Sequence, residues 1–556
     1  MGMRLNLKWV NEVIGEDYKN WKNGDVVKLT AQTGTGKTRF VIGKKEVNGL
    51  IDKIGNYKKL VYICNRRALK REIKIALMKK YDIEMPRVKK TGYINMDKID
   101  KIKTIRNVTI LSYQELSSMF IKNKYANENY NLHGFDYIIC DECHFFLTDS
   151  GFNNKTYLAF FNLVKDEYPD SIRVFISATM DEVNNTISKA ITDLNEENVF
   201  NNYKVWDQYN TGLDYSYLNI KYLKNTKDIA KIINNDKLNE KWLVFVKSED
   251  DGEEIKEDLL NMDIDAEFIM AKSKNKEKIN ISIKNSFDCR VLISTKVLDN
   301  GVNIEDDELK NIVVMAYDKT TFIQELGRLR INIENAKTVN LYIPMFNKQV
   351  FPGKLTRNYI PKIKDVDLLR ENRNEFLAKY NNDLKDLPHD LFYLNKDGKW
   401  KVNSLGHARL YKDKWFAEDM IEKFKYDKFT YIKEQLKWLG LENTFNEKNL
   451  IEMVVDEEVM ENLESFLTDA YNNDERFTKE FFLDKMDEFL ENDSTLREEL
   501  NKLDNGKSRN KGMKKLNELF ERVGFDLIVS SAPPVKDYIN GKRKSVTYWI
   551  VTKIKE

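Results

Sequence analysis

Residues 31–38 read Ala-Gln-Thr-Gly-Thr-Gly-Lys-Thr, and no other stretch limits the fold of this chain so tightly. Before it, Asp25-Val26-Val27-Lys28-Leu29-Thr30 is a short apolar-rich run opened by the turn signal Asn23-Gly24, so it reads as a strand. After it, Phe40-Val41-Ile42 begin a helix. Strand, glycine-rich loop and helix in that order form the context in which the phosphate-binding pattern has a mechanism. Gly34 and Gly36 leave room for backbone N–H groups to turn toward phosphate oxygens, and Gln32, Thr33 and Thr35 complete the loop. Lys37 is placed to reach the β and γ phosphates and the Thr38 hydroxyl to ligate Mg²⁺, with the helix dipole facing the phosphates. A Gly/Thr-rich turn that matches by chance lacks these flanks. The expected cofactors are therefore ATP and Mg²⁺.

At 556 residues the chain is too long for one core, and length alone suggests about three or four domains. A hydrophobic fraction of 42% suits a globular protein, and a net charge of only +2 means that any nucleic-acid contact must come from local patches. The first eleven residues have no apolar core of a signal peptide, and no run approaches the ~18 apolar residues that span a bilayer. Four cysteines in such a chain argue for a reducing compartment. Cys140 and Cys143 form a CxxC without nearby partners, so the spacing is read as incidental. The expectation is a cytoplasmic protein with no membrane partner.

Four further buried-type strands end in polar residues, where parallel sheets bind ligands. Lys59-Leu60-Val61-Tyr62-Ile63-Cys64 runs into Asn65-Arg66-Arg67, whose arginines suit backbone phosphates. A solvated basic helix start explains them equally well. Asn107-Val108-Thr109-Ile110-Leu111 is followed by Ser112-Tyr113-Gln114, and Phe135-Asp136-Tyr137-Ile138-Ile139-Cys140 by Asp141-Glu142-Cys143-His144. Two carboxylates at the end of a buried strand each need a partner. Beside a phosphate loop, Asp141 can hold Mg²⁺ through water and Glu142 can orient and deprotonate the attacking water. The strand Ser171-Ile172-Arg173-Val174-Phe175-Ile176 ends in Ser177-Ala178-Thr179, small hydroxyl residues able to couple the nucleotide site to a neighbouring domain. The repeated strand-then-helix pattern gives a parallel α/β domain over residues 1–205.

In this order AQTGTGKT, DECH and SAT resemble motifs I, II and III of superfamily 2 helicases of the DExH type. CNRRAL resembles motif Ia and LSYQEL motif Ib, while no convincing adenine-reading Q motif stands upstream. A polar, Asn-rich passage around Asn195 to Gly212 reads as a linker. Five further strands, beginning near Trp242, Ala266, Arg290, Asn311 and Thr338, give a second parallel α/β unit over residues 206–350 without a phosphate loop of its own. Val246-Lys247-Ser248 resembles motif IV. The stretch Ser294 to Asn303 resembles motif V, with Thr295, Gly301 and Asn303 at the expected places, and Gln324-Glu325-Leu326-Gly327-Arg328 resembles the start of motif VI. The fold this implies is two tandem RecA-like parallel-sheet domains with one nucleotide between them.

Motif VI departs from the common QxxGRxGR. The second arginine is expected at Ile331, and Arg330 stands one residue early. On a helix a two-residue step turns about 200°, so Arg330 replaces the missing group only if the helix ends or bends there. The shortened ending resembles helicase-like proteins of low-GC bacteria and their phages.

Beyond residue 350 the resemblance stops. Leu391 to Trp400 reads as a hairpin with an Asp-Gly turn, and residues beyond Gly406 are mostly helical by period. Ile451 to Leu500 holds 17 acidic and 4 basic residues, an unlikely phosphate contact, whereas Asn505 to the terminus holds 12 basic and 5 acidic. Residues 351–504 are thus expected as a helical accessory region that offers a surface for protein partners. Residues 505–556 read as a basic helix and hairpin, like a winged-helix module, with Lys542, Arg543 and Lys544 at the tip of the loop Pro533 to Lys544. An ordinary solvated hairpin explains these nearly as well.

The resemblance implies an ATP-dependent nucleic-acid helicase or translocase. Lys37 and Thr38 bind phosphate and Mg²⁺, Asp141 holds Mg²⁺, and Glu142 is the base. Gln324, Arg328 and Arg330 act from the second lobe, and Gly301 and Asn303 contact ATP. His144, Ser177 and Thr179 couple the lobes. Arg66, Arg67, Ser112, Tyr113, Gln114, Lys247, Ser248 and Thr295 line the strand path, with DNA ranked ahead of RNA. Two other readings stand beside it: an ATP-gated clamp or remodeller that does not unwind, and a P-loop ATPase that acts on protein.

Overall fold

Runs such as Leu60–Cys64 are buried at every position, as a strand covered on both faces requires. The computed structural model describes the chain except residues 1, 66, 89–93, 127–131, 152–155, 167, 198–202, 271–276, 278–280, 282–283, 296–302, 347, 381–386, 389, 396–397, 452–456, 493–495, 498, 501–511, 540–541 and 554–556. It divides into two compact units, Met1–Glu452 and Met453–Glu556.

The first unit holds two seven-stranded sheets. The strands of the first are β1 Val26–Thr30, β2 Leu60–Cys64, β3 Thr104–Ile105, β4 Val108–Ser112, β5 Tyr137–Asp141, β6 Ile172–Ser177 and β7 Val205–Asn210, in the spatial order β3-β4-β2-β5-β6-β1-β7. Only β3 is antiparallel. Alternate residues of each strand enter opposite cores: Val27, Leu29, Tyr62 and Ile139 face one cluster, and Val26, Val61, Ile138 and Phe175 the other. The second sheet comprises β8 Leu218–Leu223, β9 Lys241–Phe245, β10 Ala266–Ile269, β11 Val291–Ser294, β12 Leu309–Val314, β13 Val339–Pro344 and β14 Leu450–Ile451. Their order is β10-β11-β9-β12-β13-β8-β14, with every pair parallel. These are the two tandem RecA-like lobes expected from the strand pattern.

Several boundaries differ from the sequence reading. The passage read as a linker contains β7, an edge strand on β1 in which Tyr209 is buried and Asp207, Gln208 and Asn210 are exposed. β8 was not anticipated. The chain start also belongs partly to the second lobe: Met3 and Leu5 donate to Ala336 and Ile333 carbonyls, and Leu5 and Leu7 lie in that lobe's core cluster. Residues 351–451 are not a detached accessory region. Ala417, Met420, Tyr431, Ile432 and Leu436 share the second lobe's core, and β14 extends its sheet.

The second unit joins residues on both sides of the boundary expected at 504/505. Leu463, Leu467, Phe482 and Met486 pack with Leu516, Phe520, Val529 and Trp549 in one cluster. Helices Glu457–Asn472, Lys479–Asn492 and Met513–Val523 precede the hairpin strands β15 Leu527–Ser531, β16 Val535–Ile539, β17 Lys542–Val546 and β18 Trp549–Lys553. β15 pairs antiparallel with β18, β16 with β17, and Phe477 bridges Trp549. The stretch Pro533 to Lys544, expected as a loop, is largely strand.

Among the described residues no helix is long and apolar enough to cross a membrane. All four cysteines are buried and free.

Candidate active site between the two lobes

β1 delivers the loop 31–36 to the carboxyl edge of the first sheet, and helix α1, Lys37–Ile42, leaves it. Gly34 and Gly36 have φ of 92° and 89°, a left-handed backbone that costs a side-chain-bearing residue energy and that glycine adopts freely. Thr35 is tied inside the loop, its hydroxyl donating to the Gln32 carbonyl at 2.7 Å. The Gln32 side chain is also occupied. Its amide donates to the Asp214 carbonyl (2.9 Å) and its oxygen accepts from the Asp214 N–H (2.8 Å), so it pins the inter-lobe connection to the loop.

Lys37 Nζ lies 2.6 Å from Glu142 Oε1. Glu142 follows β5 with φ 52°, an uncommon backbone state for a non-glycine residue that turns its carboxylate back toward α1. The preceding Asp141 is buried. Its Oδ2 accepts from the Tyr62 hydroxyl at 2.6 Å and its Oδ1 from the Glu142 N–H at 3.0 Å. Burial pushes the Asp141 carboxyl up, reinforced by the Glu142 charge beside it. Burial acts on Glu142 in the same sense, but Lys37, His144 and Arg328 together outweigh it and hold that carboxyl down. Buried Asp141 and half-buried Glu142 thus both feel the Lys37 charge.

Thr38 and Asp141 both reach the Tyr62 hydroxyl. The donor set thus offers one hydroxyl and one carboxylate around one point, as fits Mg²⁺, which takes few protein ligands and completes its shell with phosphate and water. Among the described residues no group of three or more His, Cys, Asp or Glu could hold a metal without such help.

His144 is buried behind Glu142. Its Nδ1 is 2.9 Å from Ser177 Oγ and 3.4 Å from Glu142 Oε2, and Ser177 Oγ accepts from the Thr179 N–H at 3.0 Å. On its other side, His144 Nε2 meets Gln324 Nε2 of the second lobe at 2.5 Å. Gln324 lies on α2, Lys319–Leu326, which Asp318 caps by accepting from the Thr321 N–H. Lys319 reaches Asp181 of the first lobe at 2.6 Å. The three residues expected to couple the lobes do form one hydrogen-bonded chain to the second lobe.

α2 stops at Leu326, Gly327 and Arg328 turn, and the chain becomes extended where Leu329 forms a bridge. Leu329 bridges Ile304, with Ile304 N donating to Arg328 O (2.8 Å) and Arg330 N to Ile304 O (2.9 Å). In an extended segment residues two apart share a face, so Arg328 and Arg330 stand side by side. Each interacts electrostatically with Glu142. The helical argument against Arg330 therefore does not apply, because the helix ends before it. Gly327 permits the approach: a Cβ there would lie 2.7 Å from Thr33 Oγ1 of the phosphate loop.

Asn303, expected at the nucleotide, joins Arg330 to the first lobe. Its Oδ1 accepts from Arg330 Nε at 2.8 Å and its Nδ2 donates to Glu72 Oε1 at 3.1 Å. Gly301 lies outside the described residues.

The expected nucleic-acid contacts fare unevenly. Tyr113 is a correction: it is fully buried, its ring stacked on Phe145 at 4.6 Å and its hydroxyl donating to the Asp141 carbonyl, so it supports motif II from below. Ser112 is also buried, and its hydroxyl is 3.2 Å from Glu115 Oε2. Gln114 donates to Asn65, which donates to Asp149. Arg67 is exposed but already engaged by Asp100 at 2.7 Å. Ser248 caps a helix by accepting from Asp251 N–H. Exposed Lys247 lies over the Tyr317 and Phe346 rings, and the Thr295 carbonyl accepts from the Ser294 hydroxyl. Arg66 lies outside the described residues. Lys542, Arg543 and Lys544 form the start of β17, where the backbone alone is described.

Tyr62, Glu72 and Asp214 were missed in the sequence. A hydroxyl inside the otherwise apolar run Leu60–Cys64 was the available signal for Tyr62. An acidic residue in the basic stretch Arg67 to Lys74 was a faint one for Glu72.

Residues 16–187 match the family of the DEAD/DEAH box helicase domain, and residues 224–332 match the helicase conserved C-terminal domain. The chain thus carries both helicase domains in tandem. Similar solved structures include S. cerevisiae Dbp5 bound to RNA and ADP BeF3, with 14% identity over 60% of this chain and 86% of that one and a TM-score of 0.39. The Escherichia coli DEAH/RHA helicase HrpB shares 13% identity over 62% of this chain and 43% of its own, with a TM-score of 0.40. Mycobacterium smegmatis helicase Lhr bound to ssDNA and AMP-PNP shares 12% over 73% and 59%, with a TM-score of 0.41. No curated protein matches the sequence.

Proposed function

We propose that the chain is a nucleic-acid-dependent ATPase that works as a helicase or translocase. The observation that carries this reading is the convergence of two lobes on one cleft. Lys37, Asp141 and Glu142 come from the first, and Gln324, Arg328 and Arg330 from the second. The two helicase domain matches support it.

In this reading Lys37 exchanges Glu142 for the β and γ phosphates, which frees Glu142 to orient water and accept its proton. Thr38 and Asp141 would hold Mg²⁺, whose charge would offset the charge that develops on the phosphates. Arg328 and Arg330 stabilise that charge from across the cleft. Hydrolysis then weakens the reason for the lobes to stay together, and the His144–Gln324 contact passes the change between them. Movement on a strand follows if the two lobes grip it differently in the two states.

ATPase assays with single-stranded DNA, duplex DNA and RNA, paired with strand displacement, test the proposal. Stimulation by one of these polymers is expected, and none at all would overturn it. Stimulation without displacement favours translocation or the ATP-gated clamp over unwinding. The same panel decides between DNA and RNA.

A further inference from the structure

Glu72 has no place in the chemistry above, yet it is the first-lobe group that Asn303 reaches across the cleft. It lies on the helix Arg67–Lys80, one turn beyond Arg67, on the exposed side of that helix. The same helix is fixed to the rest of its lobe by Arg67 and Arg71 on Asp100, by Lys70 on Glu115 and by buried Lys74 on the Ile99 and Asp100 carbonyls. Cations along the helix thus hold it to its own lobe, while the Glu72 carboxylate reaches the other lobe through Asn303.

That carboxylate is matched to the second lobe's charge. Desolvation in the cleft raises the Glu72 carboxyl, while Arg330 and then Arg328 act in the opposite sense. The contact itself is relayed: Glu72 Oε1 accepts from Asn303 Nδ2 at 3.1 Å, and Asn303 Oδ1 accepts from Arg330 Nε at 2.8 Å. The carboxylate fixes which way the Asn303 amide points, since only its NH₂ end can donate to Glu72. That leaves the amide oxygen for Arg330. The bond takes one of five guanidinium donors, and the others stay available for an anionic oxygen. Backbone pairing of Arg330 with Ile304, the residue after Asn303, sets the spacing.

We infer that Glu72 is a positioning residue for Arg330: through Asn303 it seats the guanidinium when the lobes close, and it ties that seating to the helix bearing Arg67. Asn303 is then a spacer between the lobes. The inference rests on the proposed ATPase reading.

The test compares Glu72→Ala, Glu72→Gln, Arg330→Ala and the double variant Glu72→Ala/Arg330→Ala, with exposed Glu257→Ala as control. Turnover is measured with a saturating oligonucleotide from the panel above, and oligonucleotide affinity by fluorescence anisotropy. Glu72→Ala should lower kcat about tenfold while KM for ATP and oligonucleotide affinity stay within twofold. Glu72→Gln, which can still accept from Asn303, should recover most of the loss. The double variant should be no slower than Arg330→Ala alone, since both remove one device. Normal turnover in Glu72→Ala, losses that multiply in the double variant, or a loss confined to oligonucleotide affinity would each overturn the inference. A wild-type ATPase indifferent to every oligonucleotide would overturn the motor reading instead. The same cycle run on unstimulated hydrolysis would still decide whether Glu72 acts through Arg330.

Discussion

His144 and Gln324 are 180 residues apart in the chain and meet at 2.5 Å, nitrogen to nitrogen, across the inter-lobe cleft. One nitrogen must donate and the other accept, so the contact holds in one pairing of tautomer and amide orientation. With Gln324 donating, the imidazole proton sits on Nδ1, facing Ser177 and Glu142. The histidine therefore touches the second lobe on one side and Ser177 and Glu142 on the other. His144→Ala and Gln324→Ala should each lower nucleic-acid-stimulated turnover, and the double variant should fall short of the summed losses. Contacting residues couple by about 1–2 kcal/mol, or roughly 5–30-fold in rate. Strict additivity in a double-mutant cycle would show that the contact does not carry the coupling.

Lys37 and Glu142 form the other decisive pair, at 2.6 Å. Glu142→Gln keeps the side-chain shape and removes the proton acceptor. ATP affinity, read with a fluorescent analogue, should be retained, while turnover falls by about 10²–10⁴-fold, the usual share of a general base. A Glu142→Gln protein that hydrolyses ATP at the wild-type rate would remove Glu142 from that role.

The two arginines show what a change of local structure does to a motif argument. Spacing on a helix sets Arg330 on the wrong face relative to Arg328. The helix ends at Leu326, and the bridge of Leu329 to Ile304 makes the segment extended, which returns both side chains to one face. Arg328→Ala and Arg330→Ala should therefore both depress turnover strongly. For groups that stabilise phosphoryl transfer from across a cleft, roughly 10³-fold or more is expected. Near-normal turnover in Arg330→Ala alone would mean that Arg328 acts without it.

What was legible in the sequence follows the same physics. Strands buried on both faces, such as Tyr137–Asp141 and Val291–Ser294, show as continuous apolar runs, so both sheets could be read. The phosphate loop and the acidic strand end could be read because glycine and paired carboxylates are costly there without a use. The edge strand β7 escaped. Val205-Trp206-Asp207-Gln208-Tyr209-Asn210 is half exposed, and its polar face looks like a linker. The clamp of Gln32 on Asp214 and the reach of Glu72 to Asn303 join residues 182 and 231 apart, which no local pattern encodes. Tyr113 failed for the opposite reason: its position at a strand end suggested a ligand contact, while its ring is needed beneath Asp141.

Asp100 holds two of the helix cations, and its acid response gives a prediction about stability. Burial alone would raise this carboxyl, but hydrogen bonds from Arg71 and Arg67 outweigh it and lower the value from 3.8 to about 2. Because the folded value lies below the unfolded one, falling pH protonates the unfolded chain first, and the stabilisation is lost as pH falls toward the folded value. The contribution is thus complete above about pH 5 and disappears between there and about pH 2. Asp100→Asn should be less stable than wild type at neutral pH, read as the apparent urea midpoint by circular dichroism. The gap should hold down to about pH 5 and close progressively toward about pH 2. A gap of the same size at about pH 3 and pH 7 would show that the loss comes from packing and not from the Asp100 charge on Arg67 and Arg71.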